Sequence, residues 1–92
     1  MVAAPSEFEK LIGQEVVLDV VSQYVYLGTL TGADDKYIVL ERADVHDLRD
    51  TKTTRELYVL DSRRYGIRSN RDRVLVRLDE VVSQSALTDV IK

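Results

Sequence analysis

Five arginines crowd one short stretch, at 63, 64, 68, 71 and 73, with only Asp72 against them. Guanidinium groups at this density suit phosphate contacts, because each presents a planar fork of donors to anionic oxygens. A solvated basic face without a ligand is the competing reading, and Tyr58 and Tyr65 in the same stretch would also suit a protein partner. Other chemistry is sparser. His46 is the one histidine, so a metal site would have to combine it with Asp44 and Asp47, and such a cluster at a strand end is more often a solvated loop. No nucleophile elbow or oxyanion loop accompanies a serine, and the Gly28 to Gly32 segment lacks the lysine and helix of a phosphate loop. Asp79-Glu80 is explained by a turn between strands. The expectation is a non-enzyme with no catalytic residue, no cofactor and no metal.

The elements that must carry these side chains follow from periodicity. Ser6 and Glu9 have capping-box spacing, with Phe8, Leu11 and Ile12 on one face and Gly13 as a left-handed stop, which predicts a helix over 7–12. From Val16 the period becomes two, and three strands follow, covering Val16 to Val20, Tyr24 to Thr31 and Lys36 to Val45. Gly28 in mid-strand requires either a sharp bend or a close backbone neighbour, and a strongly curved barrel explains it best. Both strand faces carry apolar residues, so the sheet should be covered on much of both sides. Thr53-x-x-Glu56 repeats the capping-box spacing and Gly66-Ile67 resembles a helix end, which predicts a helix over 54–65. A hairpin strand through Leu57 to Leu60 is the alternative. Ser69 to Asp72 reads as a turn, and Arg73 to Arg77 and Val81 to Ser85 as the last two strands.

Composition bounds the class. Ninety-two residues with 45% apolar content make one globular domain near the lower size limit for a single core. There is no cysteine and no apolar run long enough to span a bilayer, and the N-terminus lacks a secretory pattern. A cytoplasmic protein is expected, with no membrane partner. The net charge of −3 hides an asymmetry. Residues 1–50 hold four basic and ten acidic side chains, whereas residues 51–77 hold eight basic and three acidic.

The order of elements and several residues resemble the Sm-like (LSm) family, in a divergent bacterial or phage type. The first Sm motif is matched by Gly13, the Val16 to Val20 strand, Gly28, Leu30, the Asp34-Asp35 turn and the strand Ile38 to Glu41. Val74 to Val81 is similar to the second motif, with Arg77 at the family's arginine. The resemblance implies a mainly β fold, a short N-terminal helix on a five-stranded, strongly bent antiparallel barrel of the SH3-like kind. Residues 1–92 then form one Sm-like domain. The N-terminal helix occupies 7–12, strands one to three 15–46, a variable insertion 47–72, strands four and five 73–86, and a tail 87–92.

The resemblance also implies a site. Asp34 or Asp35 and Arg77 would face the pore of a ring, with Tyr37 stacking on a base. In such an RNA-binding ring the clustered Arg63, Arg64, Arg68 and Arg71, which lie outside the resemblance, would contact phosphates of single-stranded RNA. The family's asparagine at the start of strand three is replaced by Tyr37 or Ile38, and Leu78 stands where a glycine follows the arginine. Base selectivity should therefore differ from a uridine-specific pocket. Strands four and five leave unpaired edges, and pairing strand four with strand five of a neighbour would close a homo-oligomeric ring of about five to seven subunits. Val74, Val76 and Val82 are the expected subunit interface. The expected function is an RNA-binding ring with altered base specificity; the alternative is an oligomeric scaffold or protein-interaction module that binds no RNA.

Overall fold

The computed structural model describes residues 6–49 and 54–92. Among these residues five strands form one antiparallel sheet: β1 (Glu15–Val20), β2 (Tyr24–Ala33), β3 (Tyr37–Asp47), β4 (Arg71–Arg77) and β5 (Val81–Ala86). The spatial order is β4-β3-β2-β1-β5, so β4 and β5 are the two edges. One helix, α1 (Arg55–Tyr65), lies between β3 and β4.

The predicted N-terminal helix over 7–12 is not formed. A single 3-10 turn, Glu9–Leu11, takes its place. The Glu9 amide does donate to Ser6 Oγ at 3.1 Å, as half of a capping box requires. The segment ends early because Gly13, at φ 90°, donates to the Leu30 carbonyl at 2.7 Å and commits the chain to the sheet. Phe8 and Leu11, three apart, pack together on the core at the 3-10 period, and Ile12 is left exposed rather than sharing their face.

Two apolar layers cover the two faces of the sheet, as the strand patterns require. On the inner face Val16, Leu18, Val20, Leu30, Ile38, Leu40, Ala43 and Val76 are buried together. On the outer face Val17, Val25 and Leu27 pack with Val59 of α1 and with Leu87 from a 3-10 turn, Leu87–Asp89, that follows β5. Each fully buried Leu or Val contributes about 1.5–3 kcal/mol. The second layer thus helps to hold α1 on the sheet, together with the Arg55–Asp19 ion pair. Thr54 caps the helix, its side chain accepting from the Leu57 amide at 3.2 Å; Thr53, at the predicted cap, lies outside the described residues. Gly66 ends the helix at φ 96°, its amide donating to the Ser62 carbonyl at 2.9 Å.

The predicted turn over Ser69 to Asp72 is shorter than expected, because β4 begins at Arg71. Asn70 prepares that start. Its amide donates to the Ala43 carbonyl at 2.8 Å, and its side chain both accepts from the Val45 amide and donates to the Val45 carbonyl at 3.0 Å. A side-chain amide thereby extends the β3 ladder beyond the last paired backbone residue.

Candidate nucleic-acid interface

The β2–β3 turn is built by Asp34. Its Oδ1 accepts from the Lys36 amide at 2.8 Å and the Tyr37 amide at 2.7 Å, and its own amide donates to the Tyr37 carbonyl at 2.9 Å. Those backbone donors hold its carboxyl below the usual carboxylate range. Asp34 therefore shapes the turn, and Asp35 is left facing outward.

The other wall is the end of β4. Tyr37 stands directly opposite Arg77 in the β3–β4 ladder, and the Leu78 amide donates to the Lys36 carbonyl at 2.8 Å. A half-open cavity of about 560 Å³ results, lined by Asp35, Lys36, Tyr37, Arg77, Leu78 and Asp79. Arg77 donates to Asp79 Oδ2 at 3.0 Å, with both side chains about two-thirds exposed, so the pair is free to reorganise around a ligand. The arrangement offers a partly exposed tyrosine face for stacking, two cations for anionic oxygens and two carboxylates as acceptors for base donors. Lys36 joins these residues although no motif includes it; its place directly after Asp34-Asp35 is the one signal in the sequence. Leu78 lines the wall where a glycine would leave room.

Asp35, Tyr37 and Arg77 are thus brought together. The remaining arginines are not beside them. Arg63 and Arg64 lie in the last turn of α1, Arg68 in the loop after it, and Arg71 opens β4 opposite Ala43. Arg71 and Arg77 stand six positions apart along an extended strand, about 20 Å. The two groups occupy opposite ends of the sheet within one chain.

Val74 and Val76 point inward and pack in the core, Val76 being buried, whereas Val82 is 67% exposed. Leu75, on the outer face of β4, is also exposed.

The only histidine has a structural setting. The His46 ring stacks on Tyr58 of α1 with centroids 3.9 Å apart and an interplanar angle of 8°. The Tyr58 hydroxyl donates to Asp44 Oδ2, and burial together with that carboxylate pushes the phenol pKa up. Asp47 accepts from Arg49, whose guanidinium and amide hold its carboxyl low. Among the described residues no three metal-ligating side chains come together. This cluster escaped sequence reading because Tyr58 and Asp44 are joined only through the docking of α1.

No protein-family model matches the chain, and no curated protein does. Among solved structures it is similar to the Sm protein of Pyrococcus abyssii, determined in complex with a uridine heptamer. The TM-score is 0.57 at 16% identity, over 84% of this chain and 87% of that one. At this identity the likeness establishes the fold, which is Sm-like. Among the described residues no helix is long and apolar enough to cross a membrane.

Proposed function

We propose that this chain is a divergent Sm-like protein that forms a ring and binds single-stranded RNA at the Asp35–Tyr37–Arg77 cavity. The observation that carries the reading is the junction of the β2–β3 turn with the end of β4 through the Leu78–Lys36 hydrogen bond. That junction assembles stacking, cationic and acceptor groups around one cavity. The likeness to an Sm protein bound to a uridine heptamer supports the ligand class. Tyr37 or Ile38 stands where the family has an amide that reads a base edge, and Leu78 narrows the approach, so affinity rests more on phosphate and stacking contacts than on base identity.

Ring formation joins the free edge of β4 to that of β5 in a neighbour. The exposed Val82 and Leu75 flank this seam, while Val74 and Val76 act indirectly by fixing β4 on its own core. The proposed setting is the cytoplasm.

The test is fluorescence anisotropy of a labelled uridine-rich RNA at low and moderate salt, with the native chain and Arg77→Glu. Binding that falls steeply with salt and is weakened at least about tenfold by the variant, with the oligomer intact, is expected. Equal affinity for both proteins overturns the site. A ring that binds no RNA makes the scaffold reading the better one.

A further inference from the structure

A second cavity, of about 360 Å³, lies at the opposite end of the sheet between β3 and the C-terminal half of α1. Its walls include Asp44, Tyr58, Asp61, Tyr65 and Arg68. One wall is rigid, because Tyr58 is stacked on His46 and hydrogen-bonded to Asp44 Oδ2. That bond leaves Asp44 Oδ1 as a further acceptor. Opposite charges face the same space without pairing: among the described residues neither Asp61 nor Arg68 forms a salt bridge. Tyr65 is 81% exposed beside them.

We infer that this cavity binds a guanosine nucleotide of single-stranded RNA, with Asp61 accepting from the base, Tyr65 stacking on it and Arg68 meeting its phosphate. The assignment rests on the RNA-binding reading for its ligand class, but its residues belong to the insertion and not to the first cavity. The choice of base follows from donor geometry. Guanine alone among the four bases presents a ring N–H and an adjacent amino group on one edge, which a carboxylate accepts side by side. Adenine and uracil offer no such pair. The unpaired Arg68 supplies the complementary charge for a phosphate, and an exposed tyrosine is the usual stacking platform.

The experiment is an NMR titration of the full ¹⁵N-labelled chain with GMP, guanosine, AMP and UMP, reading the amides of Ser62, Gly66 and Arg68 against those of Tyr37 and Arg77. GMP is expected to move the first group and to bind at least about tenfold more tightly there than AMP. Asp61→Asn should remove that preference. Arg68→Ala should weaken GMP while leaving guanosine unchanged, a pattern that a structural role does not produce. Both side chains are exposed, so these variants keep the fold. No movement of Gly66 with any nucleotide, or equal affinity for GMP and AMP, overturns the assignment. If UMP leaves Tyr37 silent while GMP still moves Gly66, the first cavity fails and the second stands.

Discussion

Gly28 and Ala43 meet so closely across β2 and β3 that a Cβ on Gly28 would stand 3.0 Å from the Cβ of Ala43. It would also lie 3.1 Å from the Ala43 Cα and 3.2 Å from the Glu41 carbonyl oxygen. The obstruction is mostly backbone, so no flexible side chain can move aside. Beside it Arg42 adopts φ 48°, and the β2–β3 register shifts between Leu27 and Thr29. The bulge resets the alternation of β3. Ile38, Leu40 and Ala43 all face inward, which turns Asp44 and His46 outward to α1. Gly28→Ala is expected to destabilise the fold by about 1–3 kcal/mol in urea unfolding. A loss below about 0.5 kcal/mol, within the scatter of ordinary surface changes, would show that the approach relaxes freely.

Tyr58→Phe removes the donor to a half-buried Asp44 and keeps the ring that stacks on His46. The expected cost is about 1–2 kcal/mol, because the carboxylate loses its partner without regaining full solvation. Hydrogen exchange should quicken in α1 before it does in β1 and β2. Unchanged exchange in α1 would mean that Val59 and its apolar neighbours alone hold the helix.

Asp34 gives the β2–β3 turn an acid-sensitive stability. Its folded carboxyl titrates below the ordinary value of 3.8, because two backbone amides donate to it. The stabilisation is therefore complete above that value and is lost as pH falls through the lower, folded one. Asp34→Ala should lower Tm at neutral pH, with the difference shrinking below pH 3.8. A Tm difference independent of pH would assign the loss to something other than the carboxylate.

In the proposed ring, Val82 separates assembly from folding. It is 67% exposed in the single chain, whereas Val76 is buried, so a charge at Val76 would disrupt the fold itself. Val82→Asp should yield a smaller particle with an unchanged circular dichroism spectrum. An oligomer of native mass would place the seam elsewhere.

Much of this architecture was legible in the residues. Period-two patterns located the strands, whereas Gly28, best explained from sequence by a sharp bend of the barrel, is required by the close approach of Ala43. The Gly66 stop and capping pattern located α1, although the cap is Thr54. The short N-terminal turn was harder, since its fate depends on Gly13 bonding to Leu30 seventeen residues away. At the candidate site, the resemblance to the Sm motifs implied Asp34 or Asp35, Tyr37 and Arg77, and the distant arginines of the insertion were joined to them. Linear charge density carries no information about which end of a sheet a residue occupies. The bulge at Arg42 was equally hidden, because strict alternation from Ile38 would send Asp44 and His46 into the core.

The central claim is a ring whose subunits each present the Asp35–Tyr37–Arg77 cavity to RNA, and light scattering with and without a short uridine-rich RNA tests it most directly. The account predicts a particle of five to seven 10.5 kDa chains that gains mass when RNA is added and loses it as salt rises. A monomer under both conditions would contradict it.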